Sequence, residues 1–360
     1  MTNYNILCCD GGGIRGLLPA ILIDKIAAST SLRSNTSLFA GTSTGGIIAI
    51  GLAAGLTTSD IVGLYTNSCS SIFSSSPASS IPEMDAYIKN LVPSQYQSNK
   101  IADTVVGIIA VADSAGTGIP QNLFSAKYAN TSLQQLLSGK FGTTTVGDPS
   151  VKPMFVTTFQ LYDSTTQQWS PTSIDNLEGS ATTGCSLVEA ALSTGAAPTF
   201  FPPYNNSVLG YCVDGGTFAN NPSLFVLAKA LSLQNELSSI RMISIGTGLT
   251  TSAVPSSYFG GATTGPDLWG TFQYMFPQNP TSTMPSELLL NLLMDGSSVV
   301  NDQQTAAILG SSQYLRINVP LSEQVQLDDC SVVQELTDAA DQYWNANQSM
   351  IVDWVNQNFV

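Results

Sequence analysis

The sequence predicts an α/β fold built around an open parallel sheet. Two observations carry this prediction: short apolar segments alternate with helical segments in the first part of the chain, and glycine-rich turns follow three of the predicted strands. Alternation of strand, turn and helix is typical of parallel sheets, whose strands are joined by crossover helices. Because the turns must come together for any shared chemistry, we expect a single domain over residues 1–360.

The first sixty residues contain two predicted units of strand, turn and helix. Residues 4–9 are strand-like, residues 10–13 form a glycine loop, and residues 16–28 have helical spacing of apolar side chains. A short strand at 38–40, a sharp turn at 41–45 and a helix of small residues at 46–54 make the second unit. In an open parallel sheet both turns lie at the carboxyl ends of strands, the edge where ligand sites form.

The later part of the chain contains further predicted elements. Strands are predicted at 154–161, 211–213, 242–245 and 314–319, and helices at 186–193, 286–309 and 332–360. We expect a loop at the serine-rich residues 70–80, and helices or part of a cap at 101–112 and 133–137. Residues 249–285 are rich in Gly, Ser, Thr, Pro and aromatic residues, which fits a lid, a mobile loop or a packed irregular segment.

The composition excludes some classes of function. Of the 360 residues 43% are hydrophobic and 10% charged, and the net charge is −14. No cluster of Lys or Arg is present, so we expect no nucleic-acid partner, because phosphate binding depends on clustered positive charge. We expect any membrane contact to be apolar and local, or with neutral lipid. The longest apolar runs, such as residues 47–54, are far shorter than the ~20 residues of a spanning helix.

Six cysteines, at positions 8, 9, 69, 185, 212 and 330, show no spacing typical of a zinc site, so we expect no metal. Buried free thiols are expected in preference to disulfides. The first residues run directly into the strand at 4–9 and leave no room for a signal peptide, which predicts a cytoplasmic protein. The oligomeric state stays open.

Ser43 lies in the sequence Gly-Thr-Ser-Thr-Gly of residues 41–45, the pattern of a serine nucleophile on a strand-to-helix elbow. Gly41 and Gly45 flank it because side chains there clash in so tight a turn, and the following helix points N–H groups at a reacting oxygen. The chain has no histidine, which excludes a Ser-His-Asp triad. The base must therefore be a carboxylate, a lysine or water. A glycine-rich turn without chemistry is the structural alternative.

The glycine loop at 11–13 admits several interpretations. Gly11, Gly13 and Gly16 have the spacing of a dinucleotide-binding loop, but no acidic residue ends the second strand as that motif requires. A phosphate-binding P-loop lacks its Gly-Lys-Ser/Thr. The remaining functional interpretation is an oxyanion hole formed by the backbone N–H groups of Gly11, Gly12 and Gly13. Arg15 braces this loop or meets a phosphate, and bracing is the favoured role.

Asp214, followed by Gly215 and Gly216, is the candidate base. An aspartate at its ordinary pKa is a weak base for a serine hydroxyl, and burial strengthens it. Asp-Gly is also a common turn pair, which is the structural alternative, and we expect Asp10 to stabilise a turn through its side chain. A Ser-Lys dyad is the competing mechanism, although none of the lysines, at 25, 89, 100, 127, 140, 152 and 229, lies in a glycine-rich turn.

Together these motifs resemble those of the patatin-like phospholipases. Residues 10–16, Asp-Gly-Gly-Gly-Ile-Arg-Gly, are similar to the family's oxyanion motif, and residues 41–46 to its nucleophile elbow. Residues 214–216, with Asn-Asn-Pro at 220–222, resemble its aspartate motif. The motif-bearing core covers residues 4–248, and the C-terminal part, 249–360, is helical or irregular and shows little resemblance.

The resemblance implies a three-layer sandwich with a central, mostly parallel sheet flanked by helices. It also implies a lipid acyl hydrolase with a Ser43–Asp214 dyad, which cleaves ester bonds of phospholipids or galactolipids through an acyl-enzyme. Gly11, Gly12 and Gly13 then hold the oxyanion, no cofactor is needed, and contact with a membrane surface is transient. The alternative is a storage or scaffold protein that keeps the fold with little catalysis; a nucleotide-binding protein is a weaker third hypothesis.

Overall fold

A computed structural model describes residues 3–73, 126–250 and 288–360 of the chain, with isolated positions between 253 and 274. Eight strands within these ranges form one sheet, in the order β5-β6-β3-β2-β1-β7-β8, with β4 alongside β3. The strands are β1 (Tyr4–Cys9), β2 (Leu38–Thr42), β3 (Met154–Asp163), β4 (Gln168–Asp175), β5 (Tyr204–Asn206), β6 (Gly210–Asp214), β7 (Ile240–Ile245) and β8 (Tyr314–Ile317). The pairs β1–β2, β1–β7, β2–β3 and β7–β8 are parallel, which confirms the α/β fold with a mostly parallel sheet.

Helices cover both faces of this sheet. They are α1 (Leu17–Ser29), α2 (Leu32–Asn35), α3 (Thr44–Ala53), α4 (Thr58–Ile72), α5 (Thr131–Phe141), α6 (Leu187–Thr194), α7 (Gly216–Ala219), α8 (Ser223–Ser232), α9 (Leu288–Leu309) and α10 (Val333–Asn358). Side chains alternate along β1, so that Leu7 packs with α1, α3 and α10 on one face, while Ile6 packs with α8 and the end of α9 on the other. The expected three-layer architecture is confirmed.

The sheet is not parallel throughout, and β3 explains why. The first half of β3 pairs with β2 on one side and β4 on the other. Beyond the end of β2, the second half of β3 pairs with β6, which runs antiparallel to it. Because β4 occupies one side of β3 along its length, β2 and β6 lie on the same side, and their carboxyl ends face each other. Thr42 pairs with Thr157 and Asp214 with the next residue, Thr158.

Most predicted elements are present, with shifted ends. The strand at 4–9 matches β1, the strand at 38–40 extends to Thr42, and the helix of small residues begins at Thr44, earlier than predicted. The segment 133–137, predicted as a helix or as part of a cap, lies in the helix α5. The serine-rich loop prediction is wrong for residues 70–72, which continue α4. The predictions for 74–80 and 101–112, and most of 249–285, lie outside the described residues.

The prediction of free thiols is wrong for two of the six cysteines. Cys69 near the end of α4 and Cys330 near the start of α10 form a disulfide, with 5.8 Å between their Cα atoms. The other four cysteines, at positions 8, 9, 185 and 212, are free and buried, as predicted. A separation of 261 residues leaves no local spacing by which the pair could have been recognised.

None of the helices in the described ranges combines the length and the apolar character needed to cross a membrane. Within the same ranges, no three Cys, Asp or Glu side chains come together in a way that could hold a metal ion.

Candidate active site

Ser43 occupies the elbow between β2 and α3 in a backbone conformation that few residues other than glycine adopt, with φ 54° and ψ −124°. Its N–H donates to Thr194 Oγ1 at 2.8 Å, which ties the elbow to α6. A Cβ at Gly41 would lie 2.1 Å from the Gly45 carbonyl oxygen, and one at Gly45 would lie 2.4 Å from the Cys9 carbonyl oxygen. Both flanking glycines are therefore required by close backbone packing, as predicted for an elbow.

Asp214, at the end of β6, is almost completely buried, with 2% of its surface exposed. Its Oδ1 accepts a hydrogen bond from the Gly216 N–H at 2.7 Å, whereas Oδ2 has no hydrogen bond of standard geometry to the residues described. Burial raises the pKa of Asp214 to about 7, against the opposing effects of the nearby Ser43 hydroxyl and the Gly216 N–H. A carboxylate with this pKa beside a serine hydroxyl is suited to accept a proton at neutral pH.

The end-to-end arrangement of β2 and β6 brings Ser43 and Asp214 to the wall of one cleft. Gly215 is packed so closely on β3 that a Cβ there would lie 2.1 Å from Thr157 Oγ1. A Cβ at Gly216 would have Asp214 Oδ1 at 3.1 Å, so any side chain there would crowd the carboxylate. The two glycines thus let the backbone turn away immediately after the aspartate.

The glycine loop forms another part of the same wall. Gly12 and Gly13 line the cleft, and their N–H groups have no acceptor among the described residues. Gly11 differs, because its N–H donates to the Asn220 carbonyl oxygen at 2.9 Å. The loop is also held by the Ile14 N–H, which donates to the Leu327 carbonyl oxygen at 2.8 Å. The geometry therefore favours two of the three predicted oxyanion donors.

Arg15 and Gly16 support the loop from behind. The Arg15 guanidinium is buried, and its Nε donates to the Gly12 carbonyl oxygen at 3.4 Å, the contact expected of a brace. Burial lowers the pKa of Arg15. A Cβ at Gly16 would lie 2.2 Å from Thr44 Oγ1, so this glycine permits the loop to pack against the start of α3.

Asp10 has a role that the sequence did not indicate. Its carboxylate forms a paired contact with the Arg316 guanidinium, with 2.9 Å from Nη1 to Oδ1 and 2.5 Å from Nη2 to Oδ2. The prediction that Asp10 stabilises a local turn is therefore wrong: its side chain is held by a strand 306 residues away. Arg316 itself was missed, since nothing in the sequence around it marks it.

Apolar side chains form most of the cleft. Its space, including the open mouth, is about 810 Å³. Asp214 is the one charged side chain that lines it in the described part of the chain. The apolar wall includes Ile47, Leu64, Leu133, Leu137, Phe200 and Phe201. The cleft therefore combines a mostly apolar lining with a serine and a carboxylate, the composition of a site for a largely apolar ligand with a polar group.

The described lysines do not approach Ser43. Lys25 pairs with Asp341, Lys127 with Asp328 and Lys140 with Asp60. None of the described lysines lines the cleft. A Ser-Lys dyad therefore has no support in this part of the chain; Lys89 and Lys100 lie outside it.

Comparison with known proteins gives the family of the chain. A family model described as patatin-like phospholipase matches residues 7–226, more than half of the chain. Patatin-like protein 2 of Arabidopsis thaliana is 26% identical over 258 residues, which cover 65% of this chain and 53% of that protein. A cGAMP-activated phospholipase of Pseudomonas aeruginosa is 26% identical over 257 residues, covering 69% of this chain and 63% of that protein.

Among solved structures, the chain is similar to VipD from Legionella pneumophila, with a TM-score of 0.40 and 14% identity, covering 98% of this chain and 77% of that one. The chain spans only about half to two thirds of the length of the two relatives described above. Because the family model matches more than half of the chain, the chain belongs to the patatin-like phospholipase family.

Proposed function

We propose that this member of the patatin-like phospholipase family is a lipid acyl hydrolase that cleaves carboxylic esters with a Ser43–Asp214 dyad. One observation carries the proposal: a strained serine and a buried carboxylate line the same apolar cleft, and the serine hydroxyl is close enough to affect the pKa of the carboxyl group. The chain has no histidine, and Asp214 is the charged side chain that lines the cleft in the described part of the chain, so we assign it as the base.

In the proposed reaction, Ser43 Oγ attacks the ester carbonyl carbon while Asp214 Oδ2 accepts the hydroxyl proton. The carbonyl oxygen becomes an oxyanion, which accepts hydrogen bonds from the Gly12 and Gly13 N–H groups. The C–O bond to the leaving alcohol then breaks, and the alcohol oxygen takes the proton from Asp214. Water attacks the resulting acyl-enzyme, Asp214 accepts its proton and returns it to Ser43, and the fatty acid leaves.

The surroundings of the dyad favour this chemistry. The N-terminus of α3 directly follows Ser43, so the positive end of its dipole lies near the developing negative charge. Apolar walls exclude water, which strengthens the hydrogen bonds to the oxyanion. Each such donor is worth about 2.7–4 kcal/mol of the activation free energy.

The proposed substrates are phospholipids or galactolipids, whose acyl chain the apolar cleft accommodates. The name of the Pseudomonas aeruginosa relative supports the phospholipid class. A storage or scaffold protein with little catalysis remains the second hypothesis for the same fold.

Contact with a lipid surface is proposed for the exposed face of α9. Leu292 and Leu293 on this face are exposed by 50% and 56%, while Met294 of the same helix lines the cleft. The helix carries no Lys or Arg, which fits neutral rather than anionic lipid. Replacing Leu292 and Leu293 by Gln should lower hydrolysis of vesicle lipid and leave hydrolysis of a soluble ester unchanged; equal losses on both would contradict this role.

The cytoplasmic location stays a prediction, and the disulfide weighs against it. Disulfides such as Cys69–Cys330 form mainly in oxidising compartments and are rare in the reducing cytosol. Alkylation of free thiols in freshly lysed source cells, followed by mass spectrometry, would show whether the pair is oxidised in its native compartment.

The proposal is tested by labelling with a fluorophosphonate probe and by hydrolysis of a p-nitrophenyl ester. Ser43→Ala should lose both, while Ser34→Ala, at an exposed serine of α2, should keep both. Hydrolysis retained by folded Ser43→Ala would refute the proposal. A folded wild type that neither labels nor hydrolyses the ester would favour the storage hypothesis.

A further inference from the structure

Asp10 is a buried carboxylate that the proposed reaction does not use. It follows β1 directly and precedes Gly11–Gly13, and 3% of its surface is exposed. Both of its oxygens accept hydrogen bonds from the Arg316 guanidinium, from Nη1 at 2.9 Å and from Nη2 at 2.5 Å. This paired geometry is the strongest contact that an arginine makes with a carboxylate.

Arg316 connects several elements behind the glycine loop. It lies in β8, and its Nη1 also donates to Ser244 Oγ in β7 at 2.7 Å. Its Nε lies 3.7 Å from Asp302 Oδ1 in α9. The guanidinium is thus fixed by contacts with β7, α9 and the end of β1 at once, and it holds the Asp10 carboxylate in one position.

The backbone around Asp10 is also anchored on the side away from the cleft. The Asp10 N–H donates to the Ile245 carbonyl oxygen at 3.0 Å, and the Gly11 N–H is held by Asn220. Gly12 and Gly13, which line the cleft, have N–H groups without an acceptor among the described residues. A movement of Asp10 would therefore change the direction of the two oxyanion donors that follow it.

Charge gives a second reason for the pair. An ionised Asp10 without a partner would lie two residues from Gly12 in a region of low dielectric constant and would repel a negative oxyanion. A buried carboxylate also requires a cation or several hydrogen bonds to remain stable in its charged form. Arg316 supplies both the opposite charge and the hydrogen bonds.

We propose that Arg316 is a positioning residue for the oxyanion hole: it neutralises Asp10 and fixes the backbone that presents the Gly12 and Gly13 N–H groups. The inference rests on the proposed hydrolase function and extends the site beyond residues 7–226, which the family model matches. The C-terminal part of the chain is then a component of the active site.

The test compares Arg316→Gln, Arg316→Lys, Asp10→Asn and the double variant Asp10→Asn/Arg316→Gln on a soluble ester. We expect Arg316→Gln to lower kcat by about 10²-fold, as for loss of one oxyanion donor, with KM changed by less than about threefold. Asp10→Asn should lower kcat by less than about tenfold, because the remaining cation does not oppose the oxyanion. The double variant should recover to the level of Asp10→Asn, because the uncompensated charge is gone.

A merely structural brace would not show this recovery. If Arg316→Gln and the double variant are equally impaired, or if KM rises with kcat unchanged, the proposal is wrong. If Arg316→Gln does not fold, the decision rests on Arg316→Lys, which keeps the positive charge but cannot reproduce the paired contact: a loss in kcat of about tenfold with KM unchanged supports the proposal, and wild-type kcat or a raised KM with kcat unchanged overturns it.

The wild type separates this inference from the function on which it rests. A Ser43-dependent wild-type activity that Arg316→Gln leaves unchanged would overturn the role of Arg316 alone. A folded wild type without Ser43-dependent activity would overturn both.

Discussion

The tripeptide Asp-Gly-Gly occurs twice at the edge of this sheet, at 10–12 after β1 and at 214–216 at the end of β6. Both aspartates are almost completely buried; Asp214 lines the cleft that holds Ser43, and Asp10 lies two residues before Gly12, which also lines it. Their partners differ. Asp10 is bound on both oxygens by Arg316, whereas Asp214 has a backbone N–H on one oxygen and no standard hydrogen bond to the described residues on the other.

The comparison shows that the pairing of a buried carboxylate, and not its sequence motif, decides what it can do. At Asp10, burial raises the pKa, and the Arg316 cation on both oxygens opposes that rise and favours the charged form. Burial without a cation raises the pKa of Asp214 to about 7, where the group exchanges protons near neutral pH.

The largest difference is expected between Asp214→Asn and Asp10→Asn. The amide at position 214 keeps the shape and the contact with Gly216 but cannot accept the serine proton, so kcat on a soluble ester should fall by about 10³–10⁴-fold. Asp10→Asn should cost less than about tenfold in the same assay. Equal losses would show that the two carboxylates are not functionally distinct, and near-normal rates in Asp214→Asn would point to a different base.

The pH dependence of kcat/KM should show the same contrast. Asp214 must be deprotonated to act as the base, so kcat/KM should rise about tenfold per pH unit below an apparent pKa of about 7 and level off above it. The apparent pKa should be unchanged in Asp10→Asn. A rate that is level from pH ~5 to ~8 in the wild type would contradict the environment assigned to Asp214.

Stability should respond in opposite directions to the two substitutions. Because burial raises the pKa of Asp214 above its unfolded value, the folded state holds the proton more tightly between pH ~4 and 7. The free energy of unfolding therefore falls as pH rises through this window, by about 4 kcal/mol.

Asp214→Asn removes this cost and should raise the Tm at pH ~8 more than at pH ~5. Asp10→Asn leaves Arg316 with a weaker partner and should lower the Tm, with a loss of up to about 3 kcal/mol. Thermal unfolding of both variants at the two pH values shows whether each Tm rises or falls relative to the wild type. Changes in the same direction for both variants would contradict the different roles assigned to the two carboxylates.

The disulfide affects one of the two regions. Cys69 and Cys330 hold α4 close to the segment of Leu327, whose carbonyl oxygen accepts the Ile14 N–H beside the first glycine loop. Replacing both cysteines by Ser should cost about 2–5 kcal/mol of stability and reduce kcat a few-fold, with the apparent pKa of Asp214 unchanged. Dithiothreitol should act on the wild type alone, since the other four cysteines are free thiols and offer no disulfide to reduce; an effect on the double variant would contradict this assignment.

The smallest effects are expected from two matched threonines. Thr194 Oγ1 accepts the Ser43 N–H at 2.8 Å, and Thr247 Oγ1 donates to the Gly11 carbonyl oxygen at 2.6 Å. Replacement of either by Val removes one buried hydrogen bond and should cost about 1–3 kcal/mol. Thr194→Val should lower fluorophosphonate labelling of Ser43 more than Thr247→Val does, because Thr194 holds the elbow itself. A larger loss with Thr247→Val would show that labelling depends more on the Gly11–Gly13 loop.

Local features of the fold were predictable from the sequence. β1 was predicted residue for residue, because a run of strand-forming residues ends at Asp10 and three glycines. The elbow around Ser43 was predicted because its flanking glycines have one common cause, the close approach of backbone. The family resemblance, given by short motifs, is confirmed by the match over residues 7–226.

Features that depend on distant pairing were not predictable, and β4 is the clearest example. Its residues are mostly polar and partly exposed, and Pro171 near its middle argues against a strand when local propensity alone is considered. The segment is a strand because it pairs with β3, where Phe159 lies opposite Pro171. A proline is tolerated there because, among the strands that the structure describes, β4 pairs with β3 alone, which is the position of an edge strand.

The site contains further features of this kind. The antiparallel direction of β6, the Cys69–Cys330 disulfide and the pairing of Asp10 with Arg316 each join segments far apart in the chain. No local pattern of residues encodes such a contact, because its partner is chosen by the packing of the whole sheet. The sequence therefore indicated which residues are candidates for the chemistry, and the structure was needed to show what holds them.

The meeting of β2 and β6 on β3 has a consequence for how the site tolerates change. The candidate nucleophile and base are attached to adjacent residues of one strand, through the pairs Thr42–Thr157 and Asp214–Thr158. One residue of a strand advances the chain by about 3.3 Å. A single insertion between these two positions would therefore move Ser43 and Asp214 apart by about that additional distance, which is enough to break a hydrogen bond between them. Insertions in the surface loops leave this spacing untouched, which lets the periphery of the molecule diverge while the distance between serine and aspartate stays constant.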